Sequence, residues 1–134
     1  MTKINLIIIL AFLFNGFING QNNDLKKCKC DSLLKAKIES RIMFAINGRS
    51  VKGLIKPNNN TCEIGIFEID IIVNREGQVI NAGLNKKNSS LISDQLKTVL
   101  IDAALKSRFM GDNDSPLKQK GSLTYEFRMK DDKN

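Results

Sequence analysis

The chain has 134 residues, of which 26% are charged and 42% hydrophobic. These values are typical of one folded globular domain and argue against disorder over most of the length. The net charge is +7, but the charges are scattered and aromatic residues make up only 6%, which disfavours a nucleic-acid-binding surface. Histidine is absent from the sequence, which removes the commonest general base and the commonest metal ligand.

The amino terminus has the pattern of an export signal. Lys3 is followed by an almost wholly apolar run over residues 4–14, and small and polar residues follow it up to Gly20. This order is typical of a secretory signal peptide, so we expect residues 1–20 to be removed by cleavage after Gly20. The alternative is an uncleaved membrane anchor, although a spanning helix needs about 20 apolar residues.

Three cysteines remain after the signal peptide: Cys28, Cys30 and Cys62. Export to an oxidising compartment permits a disulfide, and we expect one bridge from Cys28 or Cys30 to Cys62, with one thiol left over. The spacing of Cys28 and Cys30 does not suit a zinc knuckle, and the sequence holds no second pair of ligands. A Cys-x-Cys redox site is the alternative. We expect no metal ion and no cofactor.

Residues 21–30 are mostly polar and are expected to be loose, and the domain is expected to span residues 31–130. The first predicted element is a helix capped by Asp31 or Ser32 and ended by Gly48. Its apolar residues recur at steps of three or four: Leu34, Ile38, Ile42 and Ala45. Residues 51–60, which contain Pro57, are predicted to be an extended crossing segment.

A hairpin and a second helix follow. Residues 64–74 alternate apolar and polar side chains, which indicates a strand, and residues 79–84 return as its partner. Between them, residues 74–77 form a turn in which Gly77 is suited to a positive φ angle. Ser93 is predicted to cap a helix that runs to about Arg108. One face of this helix is formed by Ile92, Leu96, Val99, Leu100, Ala103, Ala104 and Ser107.

The last predicted element is a strand. It alternates inward Leu123, Tyr125, Phe127 and Met129 with polar residues. Residues 131–134 are a charged tail. The order helix, strand, strand, helix, strand predicts an α+β fold with two helices packed on a three-stranded antiparallel sheet, and the last strand is its natural edge.

Several short motifs in this order resemble the TonB C-terminal domain family. They are residues 44–50, residues 54–57, VNREGQV at 73–79, AALK at 103–106 and LTYEF at 123–127. The resemblance is colinear from Phe44 to Lys130 and implies the same fold of two helices on three antiparallel strands. Because the sequence has only two prolines, it lacks the Pro-rich spacer of energy-coupling members and is expected to be a stand-alone member.

The resemblance implies a periplasmic protein-binding module, with an inner-membrane anchor facing the periplasm as the alternative. Family members hold a segment of an outer-membrane receptor as an extra strand on their final strand, which is β-augmentation. The expected partner is therefore a TonB-dependent receptor or another envelope protein, with a possible link to transmembrane transport. The corresponding edge here is Leu123, Thr124, Tyr125, Glu126, Phe127, Arg128 and Met129. Glu126 and Arg128 are the candidates for charge selection.

Two other classes of function were weighed. The first is a structural or oligomeric envelope protein, such as a homodimer whose edge strands pair. The second is an enzyme, which we do not expect, because no nucleophile–base pair, phosphate loop or metal set is evident. The acidic residues Glu68, Asp70 and Glu76 fit a solvated strand face and turn better than a catalytic cluster.

Overall fold

The structure, a computed structural model, describes residues 30–131. The predicted signal peptide or anchor, Cys28, nearly all of the loose segment and the last three residues of the tail lie outside this range.

The described residues form two helices and six strands. The helices are α1 (Ser32–Ala36) and α2 (Asp94–Lys106), with a 3-10 turn at Lys86–Asn88. The strands are β1 (Ile38–Ala45), β2 (Val51–Gly53), β3 (Gly65–Val73), β4 (Val79–Asn85), β5 (Arg108–Phe109) and β6 (Gln119–Met129). The main sheet has the order β1-β6-β3-β4 and all its neighbours are antiparallel, whereas β2 and β5 form a separate two-stranded sheet.

The hydrophobic core lies on one face of the main sheet, under α2. The helix begins as predicted: the Ser93 side chain accepts a hydrogen bond from the Leu96 backbone N–H at 3.2 Å, and Asp94 lies at the positive end of the helix dipole. The helix packs mainly on β4 and β3. It buries four residues, Leu96, Leu100, Ala103 and Ala104. The opposite sheet face, which we call the open face, has no helix on it among residues 30–131.

The β3–β4 hairpin follows the sequence prediction closely. Gly77 closes the turn with φ of 90°, and its N–H donates to the Asn74 carbonyl at 3.1 Å. A Cβ atom at position 77 would lie 1.9 Å from the Phe109 carbonyl oxygen. Both the positive φ angle and this overlap therefore exclude residues other than glycine. The prediction of a positive φ angle at Gly77 is confirmed.

The predicted helix over residues 31–48 is wrong beyond its first turn. Asp31 does cap α1, since its Oδ1 atom accepts from the Leu34 N–H at 2.7 Å, but α1 has only five residues and buries none of them. From Ile38 the chain is a strand. Ile38 and Ile42 lie four apart, which fits a helix, but together with Ser40 and Phe44 they also fit the two-residue period of a strand. Pairing with β6 along the whole strand selects the second period.

The fold is therefore α+β with a mainly antiparallel sheet, as predicted at that level. The finer prediction of two helices on three strands is wrong, because only α2 packs on the sheet and the sheet has four strands. The extra strand is β1, formed by residues that the sequence pattern placed in a helix.

Candidate functional site

The predicted partner-binding strand does not lie at an edge. Residues 123–129 belong to β6, which pairs with β1 on one side and with β3 on the other. Leu123, Tyr125 and Phe127 face the core and are at most 2% exposed, whereas Met129, predicted to face inward, is 44% exposed. Residues 123–127 are paired on both sides, and Arg128 and Met129 are paired with β1, so the prediction that this strand is an open edge for a guest strand is wrong.

The two charged residues proposed for charge selection are used inside the sheet. Glu126 and Arg128 point to the open face, and Arg128 forms an ion pair with Glu39 of β1. The Arg128 Nε atom lies 3.9 Å from a Glu126 carboxylate oxygen. The ion pair between Arg128 and Glu39 therefore joins β6 to β1.

The free edge of the sheet on this side is β1. The Lys130 N–H donates to the Lys37 carbonyl at 2.8 Å, immediately before the first pair of the ladder, Ile38 opposite Met129. Hydrogen-bonded and non-hydrogen-bonded pairs alternate along an antiparallel ladder, so the odd-numbered residues of β1 bond to β6. The even-numbered residues direct their backbone N–H and C=O groups away from β6: Ile38, Ser40, Ile42 and Phe44.

These outward groups have no hydrogen-bond partner in the described part of the chain, and residues 56–59 line a cavity beside Ile38 and Ser40. Within residues 30–131, β1 pairs with β6 alone, and no hydrogen bond from another segment reaches the outward groups. The ladder runs over eight residue pairs without a register shift, and the strand contains no proline. Met43 and Phe44 are 41% and 45% exposed. Natural sheets usually blunt such an edge with a bulge, a proline or a cover, because it can template pairing with another chain.

The opposite edge of the sheet, β4, differs in its register and in the helix that packs on it. A register shift between Ile72 and Val73 marks a β-bulge that leaves Ile80 as an extra residue. The helix α2 packs against the same strand. A bulge twists the edge and interrupts its hydrogen-bonding pattern, so β4 is the poorer template for a guest strand.

The side chains beside the free edge include cations without a carboxylate partner. Arg41 lies on the open face opposite Glu126, but it forms no ion pair within residues 30–131. On the core side, a cavity of about 350 Å³ lies beside the start of β1 and is lined in part by Ile38, Phe127, Lys35 and Lys56. No acidic residue lines this cavity, so an anionic group would be favoured in it.

The Glu63 carboxylate forms a group of hydrogen bonds at the start of α2. Glu63 accepts hydrogen bonds from the Ser93 N–H at 2.8 Å and the Ser93 hydroxyl at 2.7 Å, and also from Thr61. Partial burial on its own raises the pKa of Glu63, but the three hydrogen bonds together outweigh it and hold this pKa below its ordinary value of 4.5. The arrangement ties the loop before β3 to the helix.

Tyr125 belongs to the core and not to a binding surface. Its side chain is 1% exposed, and its hydroxyl has no hydrogen-bond partner among the described residues. Burial raises the pKa of Tyr125 to about 12, while the nearby Ser107 hydroxyl, which lies outside hydrogen-bonding geometry, acts weakly in the opposite direction.

The acidic residues singled out in the sequence do not converge. Glu68 accepts a hydrogen bond from Asn88 at 2.8 Å, and Asp70 accepts a longer one from Asn85 at 3.4 Å. Glu76 is an exposed turn residue. Within residues 30–131, three or more His, Cys, Asp or Glu side chains nowhere gather in a way that would hold a metal ion.

The cysteine pairing is resolved between the two predicted alternatives. Cys30 and Cys62 form the disulfide, with their Cα atoms 5.1 Å apart, a separation usual for disulfides. The bridge ties the chain just before α1 to the loop that precedes β3. Cys28 lies outside the described residues.

Comparison of the chain with protein-family models, curated proteins and solved structures found no match. In the range 30–131, neither helix has the length and apolar character needed to cross a bilayer.

Sequence reasoning missed the residues that form the free edge. The available signal was the alternation of Ile38, Ser40, Ile42 and Phe44 with Glu39, Arg41 and Met43. It was overlooked because Ile38 and Ile42 also fit a helical step.

Proposed function

We propose that the protein is a non-catalytic binding module that takes an extended segment of another protein as an additional strand on β1. The observation that carries this proposal is the unbroken free edge, in which Ile38, Ser40, Ile42 and Phe44 direct their backbone groups outward. A guest backbone obtains its affinity from such groups, and its alternate side chains supply selectivity.

Two features support an extracytoplasmic location. The signal-peptide pattern of residues 1–20 indicates export, and the disulfide between Cys30 and Cys62 is of the kind that persists in oxidising compartments. The resemblance to the TonB C-terminal domain favours the periplasm, and it favours an envelope protein, such as a TonB-dependent receptor, as the guest. In that family the guest pairs with the final strand. Here β1 occupies that place, so we propose that the guest binds one strand further out.

The side chains beside β1 favour a guest with a particular pattern. On the core side, apolar residues of the guest would lie next to Ile38, Ile42 and Phe44. On the open face, an acidic residue would pair with Arg41. The cavity that contains Lys35 and Lys56 would favour a second acidic side chain near Ser40. The guest is therefore an extended segment with apolar residues on the core side and two consecutive acidic residues, one beside Ser40 and one beside Arg41.

A photo-crosslinking experiment tests the position of the site. A photoreactive amino acid replaces Met43 in cells that express the full chain. The matched control carries it at Ile66, which lies on the same face and is 47% exposed, but belongs to the internal strand β3. We expect Met43 to crosslink an envelope protein and Ile66 to give none. Equal crosslinking at both positions would place binding on the face of the sheet and not on its edge.

A second experiment tests the strand-addition mode. The crosslinked segment is synthesised as a peptide and N-methylated at one residue at a time. Because alternate residues of an added strand face β1, methylation should abolish binding at every second position and be tolerated at the positions between. The unmethylated peptide should shift the amide resonances of the four outward residues of β1. Loss of binding without a two-residue period would contradict the proposal.

A further inference from the structure

The free edge of β1 is complementary to itself when two copies run antiparallel. With Ser40 opposite Ser40 of a second copy, Glu39 faces Arg41 and Ile38 faces Ile42, and a twofold axis repeats both pairs. Glu39 and Arg41 lie on the open face, and Ile38 and Ile42 lie on the core side, so each pair meets on the same face of the joined sheet.

The alternation of inward- and outward-directed backbone groups along β1 fits this register. Ser40, Ile38 and Ile42 are residues whose backbone groups point outward, so the Ser40–Ser40 and Ile38–Ile42 pairs each exchange both of their hydrogen bonds. Glu39 and Arg41 then form the non-hydrogen-bonded pairs, in which opposite Cα atoms approach to about 4.5 Å and side chains lie closest. The ion pairs therefore occupy the positions where they interact most strongly.

Neighbouring registers are less favourable. Moving the twofold axis to Arg41 places Arg41 opposite Arg41, and moving it to Glu39 places the two carboxylates opposite each other, which is destabilising in both cases. Moving the axis to Ile42 avoids like charges but makes no ion pair. The charges on β1 thus distinguish one register from the alternatives.

The side chains needed for the ion pairs are available. Arg41 has no ion pair within the described residues, and Arg128 engages only the Oε1 atom of Glu39. The antiparallel arrangement also brings together exposed apolar residues from opposite ends of the strand. Leu33 and Leu34, which are 77% and 40% exposed, would lie at the same end as Met43 and Phe44 of the second copy.

We infer that, in the absence of a guest, the chain forms a twofold-symmetric dimer through β1 with Ser40 on the axis. The two four-stranded sheets become one continuous sheet with both α2 helices on the same face. The inference rests on the same free edge as the proposed function, and a guest would have to displace the second copy. The dimer itself requires no guest, so the two proposals are tested separately.

Sedimentation of charge-reversal variants tests the dimer and its register. The chain is expressed from its full coding sequence in a Cys28→Ser background, so that no intermolecular disulfide through Cys28 contributes. We expect Glu39→Arg and Arg41→Glu each to raise the dimer dissociation constant about tenfold or more, because two attractive pairs become repulsive. The double variant Glu39→Arg, Arg41→Glu restores both attractions across the axis, and it is made together with Glu126→Arg and Arg128→Glu so that the cross-strand partners on β6 stay complementary. This compensated double variant should return to within about threefold of the parent.

A matched control and a direct distance complete the test. Lys106→Glu makes the same change in net charge as Arg41→Glu, but on the exposed face of α2, and should leave dimerisation unchanged. A nitroxide label on Ser40→Cys should give one short inter-label distance across the axis. A monomeric parent, reversals without effect, or a compensated double variant that is no better than the single ones would overturn the inference. The peptide N-methylation test of the proposed function does not depend on that outcome.

Discussion

The two edges of the main sheet, β4 and β1, differ in regularity and in what packs against them. At the β4 edge, a glycine turn, a β-bulge and the helix α2 lie together. At the β1 edge, eight residues pair without interruption on one side and present free backbone groups on the other. The helix α2 thus covers only the β3–β4 half of this sheet. The covered half supplies most of the core, and the uncovered half leaves the outward backbone groups of β1 unpaired within the described residues.

The helices show the same division. The thirteen residues of α2 bury four side chains against β3 and β4, whereas the five residues of α1 bury none. Burial of a large aliphatic side chain contributes about 1.5–3 kcal/mol, so α2 stabilises its half of the fold and α1 contributes little in this way. The β1 half depends instead on its ladder with β6 and on the disulfide.

The largest expected effect is at the covered edge. Gly77→Ala combines a positive φ angle with a backbone overlap at the Phe109 carbonyl, so we expect a loss of more than about 3 kcal/mol in the free energy of unfolding. The control is Gly83→Ala in β4, where an added Cβ meets nothing within 4 Å. Urea denaturation checks both variants. Equal stabilities would show that the hairpin turn does not set the stability of this half.

The next largest effect is expected from loss of the disulfide beside the uncovered edge. The disulfide closes a loop of 32 residues, so Cys62→Ser should reduce the free energy of unfolding by about 3–4 kcal/mol. Because Cys30 precedes α1 and β1, we expect hydrogen exchange to accelerate more in β1 than in β4. Cys28→Ser is the matched control and should change neither quantity. Uniform acceleration in both strands would contradict the idea that the two edges are stabilised independently.

The smallest effect is expected for the hydrogen bonds of Glu63 at the start of α2. The pKa of Glu63 is lower in the folded chain than its ordinary value of 4.5, so its contribution to stability is present above pH 4.5 and is lost as the pH falls through the folded pKa. We expect Glu63→Gln to cost about 1 kcal/mol at pH 7 and less at pH 3. Urea denaturation at the two pH values measures the difference. A cost that stays constant with pH would mean that the charge of Glu63 is not involved.

The elements predicted correctly are those whose apolar residues fit either the helical or the strand period, but not both. The β3–β4 hairpin was predicted from the alternation of Phe67, Ile69 and Ile71 and from the glycine in its turn. The helix α2 was predicted from its Ser93 cap and its apolar stripe. In both cases the local preference and the final packing agree.

The β1 segment could not be assigned in this way. Its apolar residues at 38 and 42 satisfy the helical and the extended period together, and a short segment of this kind is decided by its neighbours. The neighbour is β6, which lies about eighty residues further along the chain. The position of the site depended on the same decision, because a strand at β1 places β6 inside the sheet and moves the free edge outward.

By itself, the sequence determined the α+β class, the hairpin, the capped helix and the alternation of the last strand, because these follow from interactions between residues close together in the chain. Only the tertiary structure decided that residues 38–45 extend along β6, that Cys30 is the cysteine joined to Cys62, and which edge stays open. Each of these depends on a contact between distant segments, whose energy is set by the pairing of whole strands and not by the preference of any one residue.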